Sequence, residues 1–128
     1  MSNMPRVFVV NEPLKLDEAT GNWVRYLNLR RATDHGELVY LLPGGPLADD
    51  PRPSIAALTA GLADFTSEDF LLLVGDPRAI AWAAAIAADR TGGPLRLLQW
   101  KREQKRYDPV VVDVFPESYE ALAPVEDV

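Results

Sequence analysis

Residues 69–114, DFLLLVGDPRAIAWAAAIAADRTGGPLRLLQWKREQKRYDPVVVDV, read in order as strand, helix, strand, turn and strand. The apolar run Phe70 to Val74 ends in Gly75-Asp76-Pro77. A helix rich in small residues follows, then Gly92-Gly93-Pro94, then two more apolar runs around a basic turn. So continuous an apolar run belongs to a strand buried on both sides, which predicts an α/β fold with a sheet covered on its faces. In such sheets a ligand site, where one exists, lies off the carboxyl ends of the strands. Here that place holds Gly75, Asp76, Pro77 and Arg78.

The helix has clear ends. Asp76 is placed to cap the free N–H groups of its first turn, and Pro77 sits at the first position, where a missing N–H costs nothing. Alanine at 79, 81, 83, 84, 85, 87 and 88 lets the backbone lie close on a sheet, with Ile80, Trp82 and Ile86 as bulk and Trp82 and Ile80 expected to be buried between helix and sheet. The right-handed crossover rule then sets Leu95 to Trp100 parallel to Phe70 to Val74. The chain turns at Lys101 to Arg106 and returns antiparallel along Pro109 to Val114, an edge strand protected by Pro109 and Asp113.

Working outward, Arg6 to Val10 is a short apolar strand. Leu14 to Asp17 and Trp23 to Leu29 flank a turn with Gly21-Asn22, the signature of a hairpin. Arg30 to His35 makes one helical turn, with Gly36 as a left-handed residue after it. Glu37 to Leu42 is the next strand and runs into Pro43-Gly44-Gly45-Pro46. Ser54 is the expected N-cap of a helix over Ile55 to Ala63, with Ile55, Leu58 and Leu62 on one face. No internal repeat or linker splits the chain, so residues 1–128 are expected to form one domain with an acidic tail over 116–128.

Composition narrows the function. Apolar residues make up 48% and charged residues 25%, a globular balance. No run approaches the ~18 apolar residues of a membrane span, and the first residues lack the pattern of a secretory signal. The expected location is the cytoplasm. The absence of cysteine excludes disulfides, thiolate metal sites and cysteine nucleophiles. The net charge of −6 argues against broad binding to nucleic acid, which rests on neutralising phosphates. The charge is uneven, however. From Gly93 to Val110 five basic residues face two acidic ones, a net +3 that leaves −9 for the rest. Lys101, Arg102, Lys105 and Arg106 form a basic hairpin tip flanked by Trp100 and Tyr107, open to phosphate contact or base stacking but better read as an exposed turn kept solvated around a cross-strand aromatic pair.

Two loops are candidate ligand contacts. Gly44 and Gly45 let a ligand approach backbone N–H groups, and Gly75, Asp76 and Arg78 stand at a helix start. If the strand before Gly44 is parallel to Phe70 to Val74, the two loops share one edge. The turn at Gly75 lacks G-x-G-x-x-G and the Lys and Ser/Thr of a P-loop, and Asp76 occupies the N–H groups an anion needs. Catalytic sets are not found. His35, the single histidine, is read as a surface residue in a turn and has no second histidine or cysteine with which to hold a metal. No serine sits in G-x-S-x-G. Asp69 and Asp76 flank one strand, so seven residues at ~3.3 Å put them roughly 23 Å apart, too far for paired-carboxylate chemistry. No cofactor, metal or enzyme class is indicated.

The pattern Pro-Arg-Val-Phe-Val-Val-Asn-Glu-Pro, Gly-Glu-Leu-Val-Tyr-Leu-Leu-Pro, Val-Gly-Asp-Pro-Arg-Ala-Ile and Leu-Leu-Gln-Trp, spread over residues 5 to 114, resembles small α/β proteins of bacteriophage and prophage genomes. That resemblance implies an accessory viral protein and transfers no functional residue. In layout, the strand–helix–hairpin half is similar to the Rossmann-like sensor domains of CRISPR-associated systems, which bind cyclic oligonucleotides. Those domains carry Gly, Ser, Thr or Lys at the strand-to-helix turn, where this chain has Gly75-Asp76-Pro77-Arg78. The expected fold is therefore a Rossmann-like mixed sheet of about five to six strands, two main helices and a C-terminal β-hairpin. Two functions fit it. One is a non-enzymatic protein that binds a host or viral protein partner, with Trp23, Tyr26, Trp100 and Tyr107 as exposed aromatics and a homodimer left open. The alternative is a nucleotide or cyclic-oligonucleotide binding module.

Overall fold

The computed structural model describes residues 4–115. Strand β1 (Arg6–Asn11) is an interior strand of a five-stranded sheet, with β4 (Glu37–Leu42) on one side and β5 (Phe70–Leu72) on the other, both parallel to it. β6 (Pro94–Lys101) follows parallel to β5, and β7 (Arg106–Asp113) pairs antiparallel with β6. The order β4-β1-β5-β6-β7 makes β7 an outer strand. Two helices, α1 (Arg52–Gly61) and α2 (Pro77–Thr91), and a separate two-stranded ribbon, β2 (Leu14–Asp17) with β3 (Asn22–Arg25), complete the α/β architecture with its C-terminal hairpin. A 3-10 turn at Arg30–Asp34 follows the ribbon.

Strand alternation sends Phe8 and Val10 of β1 to one face of the sheet and Val7 and Val9 to the other. The first face packs under both helices. Leu58 of α1, Leu62 just after it and the stripe Ala79, Ala83, Ala87 of α2 are fully buried there, against Phe8, Leu71 and Leu95. On the second face the cover is Leu29 and Ala32 around the 3-10 turn, over Val7, Val9, Phe70, Leu72, Leu98 and Tyr107. The expectation of a sheet covered on its faces is thus met on one side and only in part on the other.

Topology explains the imbalance. The connections β4-α1-β5 and β5-α2-β6 travel the same way across the sheet. Right-handed crossovers travelling one way must lie on one face. The connection from β1 to β4 travels the opposite way, so among the described residues it is the crossover that serves the second face. It spends its residues on the ribbon and a five-residue 3-10 turn, which shields far less sheet than a full helix.

Several local expectations are corrected. Helix α1 starts at Arg52, not Ile55, and Ser54 is buried within it. The Asp50 carboxylate accepts from Arg52 N at 3.0 Å, filling the role expected of Ser54, and Ile55 faces solvent. Trp82 and Ile80 lie on the flank of α2 as partly buried neighbours of the core, because the alanine stripe takes the seat against the sheet. Gly36 is not a left-handed cap: its backbone passes so close to Pro5 that an added Cβ would collide with the Pro5 carbonyl. The acidic tail lies outside the described residues.

Candidate functional site

The chain reverses its direction of travel between β1 and β5, the switch point where ligand crevices of open α/β sheets form. Since β4, β1 and β5 are parallel, the Gly44-Gly45 loop and the Gly75-Asp76 turn do share the carboxyl edge. Asn11, at the end of β1, fills the space between them. Its main-chain N–H donates to Val74 O at 2.9 Å, its Nδ2 to Pro43 O at 3.3 Å, and its Oδ1 accepts from Asp76 N at 3.0 Å. Gly75, at φ 134°, leaves room for that amide, since a Cβ there would strike Asn11 Oδ1. A Cβ at Gly44 would meet Leu14 and the Glu12 carbonyl, and one at Gly45 would lie 3.2 Å from the Trp23 ring. The glycines of this edge therefore seat the protein's own Asn11 and ribbon.

Asp76 caps α2 by accepting from Arg78 N at 2.8 Å and pairs with the Arg78 guanidinium at 3.1 Å. The Arg78 side-chain bond, helped by the backbone bond, holds the Asp76 carboxyl below the usual carboxylate range. Asp69, at the opposite end of β5, is buried and accepts from Arg6 N and Thr66 N at 3.0 Å each. The two carboxylates thus serve separate ends of one strand.

The basic hairpin divides between faces. Trp100 and Tyr107 are opposite in register and meet edge to face at 4.9 Å on the second face, the expected cross-strand pair. Tyr107 is nevertheless buried, not exposed, and that burial pushes its phenol above its ordinary value. Alternation sends Lys101 and Arg106 to the helix-covered face, where Arg106 pairs with Asp108 at 2.8 Å. Arg102 and Lys105 remain at the turn, just beyond Trp100.

A cleft of about 1010 Å³ lies on the half-covered face, over the carboxyl halves of β5 and β6. Leu72, Val74 and Leu98 line its floor, and Trp100 and Tyr107 one wall. The opposite wall is the 27–34 segment, which contributes Leu27, Arg30, Arg31 and Asp34. Leu27, Leu73 and Trp100 remain 38%, 39% and 45% exposed. Arg30 and Arg31 form no ion pair among the described residues, whereas Arg6, Arg25, Arg52, Arg78 and Arg106 each have a carboxylate partner.

His35 anchors this wall. Its Nε2 lies 2.7 Å from the Tyr107 carbonyl and its ring meets Phe70 edge to face at 5.4 Å. A carbonyl only accepts, so Nε2 carries the proton and donates. The expectation of a surface histidine fails because the 3-10 turn folds back onto β7. Beside it, Arg96 stacks on Phe70 at 4.0 Å, while its Nε and Nη2 are buried without hydrogen-bond partners. The ring's negative face offsets part of that cost.

Sequence reasoning missed Leu27, Arg30, Arg31 and Leu73. The visible signal was an Arg-Arg doublet directly after the Leu27-Asn28-Leu29 run, but only the crossover carries it opposite Trp100. Among the described residues, no group of three or more His, Cys, Asp or Glu is placed to hold a metal ion, and no helix is long and apolar enough to cross a membrane. Residues 5–114 match the family model described as Phage Pam3 gp32-like protein. Comparisons with curated proteins and with solved structures gave no match.

Proposed function

The chain belongs to the Phage Pam3 gp32-like protein family, and from that premise we propose that it is a small non-enzymatic binding protein acting on a host or viral protein in the cytoplasm. The observation that carries this reading is the cleft on the second face. Leu27, Leu73 and Trp100 of its lining stay exposed beside an apolar floor, and exposed large apolar groups gathered at one concavity mark interaction sites. Aromatic and arginine side chains, both present here, are the residue types enriched in protein interfaces.

A photo-crosslinking residue at Leu73 tests it, with the same residue at exposed Ala56 on α1 as control, in extracts of infected cells. A discrete protein adduct is expected from position 73 only, and it should be lost when Trp100→Ala is added. Equal adducts from both positions would refute the reading.

A nucleotide or cyclic oligonucleotide is the second reading. It is favoured by Trp100 as a stacking platform near Arg30 and Arg31, with Gly44, Gly45, Gly75, Asp76 and Arg78 as the neighbouring edge. A bound nucleotide at saturation would raise the melting temperature by several degrees. Long nucleic acid is not the partner proposed, since the net charge of −6 repels its backbone.

A further inference from the structure

We infer that the cleft receives an extended acidic segment of its protein partner, with one large apolar side chain anchored among Leu27, Leu73 and Trp100. This rests on the protein-binding reading and adds the chemistry of the partner. The first ground is charge. On a chain of net charge −6, Arg30 and Arg31 stand on the cleft wall without ion pairs among the described residues, and Arg102 and Lys105, in the hairpin turn that follows Trp100, likewise have none. Asp34 and Glu103 are the nearby acids. Five arginines elsewhere are neutralised, Arg6 by Asp64 and Asp69, Arg25 by Glu12, Arg52 by Asp50, Arg78 by Asp76 and Arg106 by Asp108, while Arg90 and Arg96 have no ion pair among the described residues. Cations left open at one concavity of an acidic protein complement an anionic ligand.

The second ground is the spacing of those cations. Consecutive residues of a 3-10 turn project about 120° apart, so Arg30 and Arg31 do not converge on one compact phosphate. They suit carboxylates distributed along a chain, each taken by the planar fork of a guanidinium. The third ground is the floor. Strand side chains Leu72, Val74 and Leu98 present carbon, not the converging backbone N–H groups of a phosphate cradle. The one helix start nearby, at α2, is already filled by the Asp76 carboxylate.

Three fluorescein-labelled octapeptides test the inference by anisotropy on the full chain. All carry a central Leu-Phe pair; the flanks are Asp and Glu in one, Ser in the second and Lys in the third. The acidic peptide is expected to bind tighter than about 100 µM at low salt, at least about tenfold tighter than the Ser peptide, and to weaken as salt screens the cleft. Arg30→Glu with Arg31→Glu should abolish the acidic preference while leaving the circular dichroism melt unchanged, since both side chains are exposed. Trp100→Ala should weaken the acidic and Ser peptides alike. Equal binding of acidic and Ser peptides, still dependent on Trp100, would overturn the charge assignment and leave the protein-binding reading standing. No binding by any peptide, or displacement of the acidic peptide by ATP or a cyclic dinucleotide at equal concentration, would overturn the inference.

Discussion

The two faces of the central sheet are built from alternate residues of the same strands, yet they are finished differently. Beneath α1 and α2, Phe8, Leu71, Leu95 and the alanine stripe of α2 close into a core without solvent access. Across the sheet, Val7, Val9 and Phe70 are equally buried, but toward the carboxyl end the cover stops and leaves a cleft walled by Trp100 on one side and Arg31 on the other. The difference teaches where this fold places stability and where it places contact. The helix side is made of small, interlocking groups whose value lies in exclusion of water. The other side keeps large apolar and cationic groups reachable.

That contrast predicts a graded set of mutational effects. The largest belongs to Phe8, buried under the helices and edge to face with Phe65 at 5.3 Å. Phe8→Ala should cost about 3–5 kcal/mol in urea unfolding; a loss below about 1 kcal/mol would break the view of the helix side as the stability core. Next, Ala83→Leu inserts volume where α2 touches the sheet and should cost about 1–3 kcal/mol. A neutral result would mean that the helix stands off the strands.

Crossing to the second face, His35→Ala removes the donor from the Tyr107 carbonyl and should cost about 1–2 kcal/mol. Faster amide exchange in residues 27–34, with the helix side unchanged, would identify the loss as release of the cleft wall. Trp100→Ala removes a half-exposed ring and one edge-to-face contact, worth about 1 kcal/mol, while its effect on partner binding should be large. A variant that unfolds would place Trp100 in the core and erase the contrast.

The smallest effect concerns the edge shared by both faces. The Asp76 carboxyl titrates below its ordinary value of 3.8 because Arg78 holds its charged form. Its contribution is therefore present above the unfolded value and lost as pH falls through the lower folded value. Asp76→Ala should lower the melting temperature by about a few degrees at pH 7, and the gap from the parent should close in acid. A gap that persists at pH 2 would assign the loss to something other than this charge.

Particular elements show how far the sequence could be read. β4 was legible to the residue because Glu37 and Pro43 bracket an unbroken apolar run. α2 was legible because cap, proline and paired glycines mark its limits independently of anything it packs on. The start of α1 was misread because Pro51 and Pro53 look like loop residues, although both suit the first turn of a helix once Asp50 turns back on Arg52. Trp82 was misplaced since size alone suggested burial; a helix carrying alanine at every fourth position can instead lie directly on the strands. Gly44, Gly45 and Gly75 pointed to close approach correctly, but what approaches is Asn11, Leu14 and Trp23.

By itself, then, the sequence determined that this is an α/β protein, because apolar runs, capped helix ends and glycine turns are local signals that each short stretch carries independently. It determined the pairing of Trp100 with Tyr107, because a short turn fixes the register of a hairpin. Which face each crossover takes was decided only in the tertiary structure, since handedness acts on the order of strands and not on any one segment. That choice sets the β1-to-β4 connection on the second face, brings Arg30 and Arg31 opposite Trp100 across some seventy residues of chain, and opens the cleft between them.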